Sequence, residues 1–377
     1  ERGDITLAGH DVQQQGVALA TTSVAQRGTI HLLNSASDTT GKVTLGKGSV
    51  TSVLIEDSTD TALDSQRAAR IADSKTQDDA RANSSAMPPV FDNLSRQPDR
   101  RDQSRVEIVS GGSVNFENQS LALATGGQIA VSATSRTFVA DGARLDVAGA
   151  PAVKVAMESN NVKISVQGNE QRDAPGSRDK GSLNSKDVWV DVRDLTLVPA
   201  GTGGYATDRY YTPGGLLEVS GYLGTTGHTI GEWAAVGGAV RLSGSEVIAQ
   251  KGSSINLAGG VVATADGLIR TSYVRGTNGL LYDVNRAPGD LLYSGVYSGF
   301  EVDYARWGVT DRFYNVALAP VFRWQKGYVS GRDGGALLVD APTAVLEGDL
   351  FAGVLQGERQ SAPRVASVTD GYKSSQS

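Results

Sequence analysis

Gly126-Gly-Gln-Ile-Ala-Val-Ser-Ala133, followed by Gly142-Ala-Arg-Leu-Asp-Val-Ala-Gly149, decides how this chain folds. Apolar residues at every second position mark a short strand with one buried face, and the bracketing glycines suit corners where a positive φ costs little. The phrase recurs at Gly28-Thr-Ile-His-Leu-Leu33, Gly111-Gly-Ser-Val-Asn-Phe116, Gly214-Gly-Leu-Leu-Glu-Val-Ser-Gly221, Gly237-Gly-Ala-Val-Arg-Leu-Ser-Gly244, Gly252-Ser-Ser-Ile-Asn-Leu-Ala-Gly259 and Gly334-Gly-Ala-Leu-Leu-Val-Asp-Ala341. The starts at Gly111, Gly126 and Gly142 lie 15 and 16 residues apart. One strand plus one corner fills that spacing, so a full coil should contain two or three phrases. No single unit can bury its own apolar face, so neighbours must stack. The expected fold is all-β, an elongated parallel β-helix with insertions outside its coils.

Composition agrees with many turns around a thin aliphatic core: 46 of 377 residues are Gly and only 6% are aromatic. A net charge of −6 supplies no basic field for phosphates, so no nucleic acid is expected as a partner. No apolar run approaches the roughly 18 residues of a membrane-spanning helix, so no membrane insertion is expected. The chain opens inside a strand phrase, Gly3-Asp-Ile-Thr-Leu7, as an interior piece of something longer would. The absence of Cys excludes disulfides and thiolate metal sites, and suits a chain threaded unfolded through a pore.

Residues 1–55 read as coils. From 56 to 105 the pattern stops: ten acidic and eight basic residues, with few large apolar ones, predict a charged insertion, partly helical or disordered. Residues 106–265 read as coils again, with loops near 168–186 and 199–213. Residues 266–330 hold seven of the 12 Tyr residues together with Trp307, Trp324, Phe300, Phe313 and Phe322. Such rings would overfill a thin coil, which places them in an excursion with its own small core. Coil sequence returns over 331–357, and 358–377 reads as a polar tail.

No catalytic constellation stands out. His10, His31 and His228 are scattered, and His31 between Ile30 and Leu32 should face away from the core. Gly41-Lys-Val-Thr-Leu-Gly-Lys47-Gly48 falls short of a phosphate-binding loop, because Gly48 stands where Ser or Thr would hold magnesium and the middle alternates like a strand. Arg2-Gly-Asp4 matches an adhesion tripeptide but leads directly into a strand. Glycoside cleavage needs two carboxylates across a cleft, and Asp187, Asp191, Asp194, Asp303 and Asp311 read as solvated rims. No catalytic residue, cofactor or metal is expected, and the chain reads as a non-enzyme. Aromatic residues able to stack on sugars or anchor a partner are the best contact candidates. They are Tyr205, Tyr210 and Tyr211 in a Gly/Thr/Pro loop, and Tyr304, Trp307 and Trp324 in the aromatic region.

The Gly-Gly-x-apolar-x-apolar phrase, with Gly142-Ala-Arg-Leu-Asp-Val-Ala-Gly149 after it, resembles the repeats of filamentous-haemagglutinin-like exoproteins of two-partner secretion, over somewhat more than half of the chain. Leu268-Ile-Arg-Thr-Ser-Tyr273, Tyr304-Ala-Arg-Trp-Gly308 and Gly327-Tyr-Val-Ser-Gly331 also resemble a region of large members of that family. The resemblance implies a right-handed parallel β-helix, secretion to the bacterial cell surface through a dedicated outer-membrane transporter pore, and work in adhesion, biofilm or competition. The Asn-Pro-Asn-Leu motif of the family's secretion domain is absent, as expected of an interior or distal rod segment. The expected function is a structural rod segment of a secreted adhesin, contacting a host-cell, matrix or glycan ligand. Alternatives are a carbohydrate-active β-helix enzyme, and a haem- or haemoprotein-capturing exoprotein, since Tyr can ligate haem iron.

Overall fold

The computed structural model describes residues 3–82 and 103–360 of the chain. Strands account for 44% and helices for 12%, an all-β architecture. Its centre is three parallel sheets of six strands each. Sheet A runs Asp4–Ala8, Thr29–Leu33, Arg105–Ser110, Gln128–Ala133, Ala239–Ser243, Ala336–Asp340. Sheet B runs Asp11–Gln14, Lys42–Leu45, Ser113–Phe116, Arg136–Val139, Glu246–Ala249, Thr343–Leu346. Sheet C runs Val17–Thr22, Val50–Ile55, Leu121–Ala124, Arg144–Asp146, Ser254–Asn256, Asp349–Phe351. The chain visits A, B and C in that order and repeats the circuit six times.

The period-two alternation aligns the inner side chains into rows. On sheet A, Ile5, Ile30, Val106, Ile129, Val240 and Leu337 are consecutive partners, as are Leu7, Leu32, Ile108, Val131, Leu242 and Val339. In the four middle circuits these residues are fully buried, and each such side chain contributes about 1.5–3 kcal/mol relative to exposure. Sheet B adds Leu45, Phe116 and Val139, with Phe116 the one aromatic ring in this cluster. In the first circuit the same row carries Gln14, whose side-chain amide donates to Val50 O at 2.8 Å and accepts from Gly16 N at 2.7 Å.

The Gly-Gly phrase has a steric cause. Ala239 N donates to Gly127 O and Ala336 N to Gly238 O, which brings successive circuits into backbone contact where sheet C hands over to sheet A. A Cβ at Gly238 would lie 2.1 Å from Gly127 O, and one at Gly335 1.8 Å from Gly238 O. Only glycine fits that corner.

Every long interruption also leaves from the C-to-A corner: residues 56–104, 147–238 and 257–335 each separate a sheet C strand from the next sheet A strand. The first contains the helix Asp64–Ala82, and Thr61–Ala62 pairs antiparallel with His228–Thr229 of the second. Residues 83–102 of the expected charged insertion, and 361–377 of the expected tail, lie outside the described residues.

Over 106–265, expected as coils with loops near 168–186 and 199–213, the pairing takes more than those loops out of the stack. Val162-Lys-Ile-Ser-Val166 alternates like a coil strand, yet Asn161–Ser165 pairs antiparallel with Asp187–Asp191, away from the three sheets. Gly214–Gly221 forms bridges to Tyr211 and Pro288 and the short helix Ser220–Leu223. Adjacent Leu216 and Leu217 are both buried there, which a one-faced strand cannot do. The aromatic excursion does not have a core of its own either. Val274, Val284, Ala287 and Tyr293 pack in one cluster with Val162, Ile164, Val188, Val190 and Leu217, so two insertions build a single lateral unit.

Candidate ligand-contact surface

The six aromatic candidates divide into three places on the lateral unit. Thr196–Val198 and Arg209–Tyr211 pair antiparallel and present the loop between them. Tyr205 Oη donates to both carboxylate oxygens of exposed Asp173, at 2.8 Å each, and Tyr211 Oη donates to Asp173 Oδ2. The Arg209 guanidinium lies 5.2 Å from the Tyr205 ring centre and 3.6 Å from the Glu218 carboxylate. Burial, followed by the hydrogen bond to Asp173, raises the Tyr211 phenol far above its ordinary value. Tyr210 does not join them. It packs half-buried against the lateral core, and burial raises its phenol too.

Tyr304 and Trp307 sit on a hairpin formed by Phe300–Tyr304 and Val309–Phe313. Their rings are 5.9 Å apart, and Trp307 N donates to Tyr304 O at 2.8 Å to close the tip. Phe300 and Phe313 stack at the base at 5.1 Å and 17°. Trp324 lies apart, opposite Leu268 on a two-stranded sheet, and is 63% exposed. On the same sheet the Arg270 guanidinium is held 5.1 Å from both Trp189 and Phe322. Sequence reading missed Asp173, and it took Asp311 only as a solvated rim and not as part of an aromatic face. Neither stands in a motif, and only the fold brings Asp173 to tyrosines more than thirty positions away.

The carboxylates read as enzyme-like possibilities are engaged or divergent. Lys163 pairs with Asp187 at 2.6 Å, and that hydrogen bond holds the Asp187 carboxyl below its ordinary value. Asp191 and Arg193 form a buried two-point pair, and Asp194 pairs with Arg359. Asp303 accepts from Thr310 at 2.7 Å on one face of the hairpin, whereas Asp311 pairs with Val302 on the other. His31 turns away from the core as expected but is not simply solvent-facing: it is 13% exposed and lies 2.6 Å from Glu107 Oε2, itself fully buried. Lys47 N, in the loop that resembled a phosphate cradle, donates to Glu117 Oε2 at 2.9 Å, a carboxylate where an anion would need to sit. Asp4 starts a sheet A strand, and Arg2 lies outside the described residues.

Among the described residues, no group of three or more His, Asp or Glu side chains gathers as metal ligands would. No described helix is long and apolar enough to cross a membrane. Comparison with protein-family models, curated proteins and solved structures gave no match to the chain.

Proposed function

We propose that this chain is a rod segment of a large secreted bacterial exoprotein of the filamentous-haemagglutinin type, wound as a right-handed parallel β-helix. In this reading the stack spaces and orients the lateral unit, which makes the adhesive contact with a cell-surface, matrix or glycan ligand. Export goes with the parent chain through an outer-membrane transporter pore. The observation that carries the reading is the division of labour along the chain: six circuits in register build the stack, and the long insertions leave from one corner. Parallel crossover connections are right-handed with few exceptions, which supports the handedness. Half-buried tyrosines held by the exposed carboxylate of Asp173 offer rigid contact area at small entropic cost.

The test is an array of glycans and extracellular-matrix proteins probed with the whole chain and with a Tyr205→Ala/Tyr211→Ala double variant. Selective binding by the native chain that the double variant loses at least tenfold is expected. A native chain that binds nothing on the array, or binding untouched by the double variant, would sink the adhesive reading at this surface.

A further inference from the structure

The hairpin of residues 300–313 has two unlike faces. Opposed pairs in an antiparallel ladder share a face, so Phe300/Phe313, Val302/Asp311 and Tyr304/Val309 form one side, and Glu301 and the Asp303/Thr310 pair the other. The first side is open to solvent: Phe300 is 59% exposed, Val309 50%, and Trp307 at the tip 69%. Among the described residues the two strands pair with no others. A two-stranded ribbon with an uncovered aromatic face is marginal by itself in water. Its edges are open to a further strand.

Asp311 determines what covers this face. It lies in the middle row, between the stacked phenylalanines and the Tyr304/Val309 pair, and no hydrogen bond or ion pair engages it among the described residues. A lipid surface would bury that carboxylate uncompensated, at large cost. A second copy packed symmetrically on the same face would set Asp311 against its own equivalent. A sugar ring stacked on Trp307 at the tip would leave the phenylalanine row uncovered, since Phe300 and Phe313 stack on each other at 17°. A cation flanked by apolar groups satisfies all three rows, with the charge on Asp311 and the flanks on Phe313, Tyr304 and Trp307, rings that also attract cations.

We propose that the aromatic face of this hairpin docks an extended segment of a partner protein carrying an arginine or lysine between apolar side chains. This surface is distinct from the Tyr205/Tyr211 site and does not depend on the adhesive reading. The probe is a fluorescein-labelled eleven-residue peptide of alternating valine and serine with arginine at its centre, compared with glutamine- and glutamate-centred versions by fluorescence polarisation on the whole chain. The arginine peptide is expected to bind about tenfold more tightly than the glutamine one, and the glutamate peptide not to bind. Asp311→Asn should make the arginine and glutamine peptides equal. Asp303→Asn, on the opposite face, should leave the preference intact and serves as the folding control. Equal affinity for the arginine and glutamine peptides, no binding of either, or an Asp311→Asn variant that keeps the preference would overturn the proposal. So would hairpin-dependent binding to phosphatidylcholine vesicles, or self-association strengthened by Asp311→Asn, in place of peptide binding.

Discussion

The three-sheet stack and the lateral unit are both made of short strands with alternating side chains, but they are held together differently. In the stack a residue's partners are its equivalents one circuit away, so Ile30 meets Val106 and Val106 meets Ile129. In the lateral unit, partners come from different insertions and the contacts are individual. Trp189 N donates to Ser272 Oγ at 2.9 Å, Asp191 N donates to Asn285 Oδ1 at 2.9 Å, and Asn161 and Arg270 exchange two bonds. Repetition makes the first region tolerant of added circuits. The second depends on a small number of joints, and its position is set by the C-to-A corner, from which both of its insertions leave. Segments separated by a complete circuit in sequence become neighbours there.

The comparison predicts different losses on cutting a core residue in each region. Phe116→Ala, inside the stack, should cost about 3–5 kcal/mol. It should lower amide protection in the circuits on both sides, because each row shares its packing with its neighbours. Leu217→Ala, in the lateral core, should cost about 2–5 kcal/mol of the lateral unit's stability, with protection lost over residues 162–219 and 274–296 and kept in the sheets. Urea titration with hydrogen exchange reads both. Equal loss of protection in sheets A to C from Leu217→Ala would mean that the two regions unfold as one and the distinction is empty.

A smaller effect is expected from the joint between the insertions. Asn285→Ala leaves the buried Asp191 N–H without its acceptor, which costs about 1–3 kcal/mol. Exchange at residues 188–191 should accelerate, while exchange at Ile129 and Val131 stays as it was. Unchanged exchange at Asp191 would show that the two insertions are coupled by apolar packing alone.

The same contrast explains what could be read from the sequence. Inner rows such as Ile129/Val131 and Val240/Leu242 are legible because alternation beside Gly-Gly recurs and the corner admits only glycine. Alternation says nothing of strand direction or partner, so Val162–Val166 looked like another coil although it pairs antiparallel with Val188 and Val190. Gly214–Gly221 has the glycines and the apolar residues, but its adjacent leucines follow the lateral core and not a pleat. At the candidate surfaces, composition pointed to Tyr205, Tyr211, Tyr304 and Trp307. Asp173 and the placement of Asp311 required the fold, since the first is brought in by tertiary contact and the second acquires its face only from the pairing register.

The smallest predicted effect concerns the place where the regions meet. Helix Ile230–Ala234 leads into the fifth circuit, and Ile230, Trp233 and Val236 pack on Val24, Ile55 and Ala62 beside the early circuits. Thr229 and Glu232 cap it reciprocally, and His228 Nδ1 lies 3.1 Å from Glu232 Oε1. Burial pushes the Glu232 carboxyl up, but the hydrogen bonds from His228 and the Thr229 backbone outweigh it and leave it below its ordinary value. A carboxyl held low in the folded state stabilises fully above its unfolded value, and that contribution disappears as pH falls through the lower folded one. Glu232→Gln should therefore cost about 1 kcal/mol at neutral pH. The gap between variant and native chain should narrow in acid, once Glu232 itself is protonated. Urea midpoints followed from pH 7 down into the acid range give the comparison. A gap that stays constant with pH would assign the joint to the packing of Trp233, over whose ring the Arg67 and Arg70 guanidiniums lie at 5.1 and 5.5 Å, and not to the charged cap.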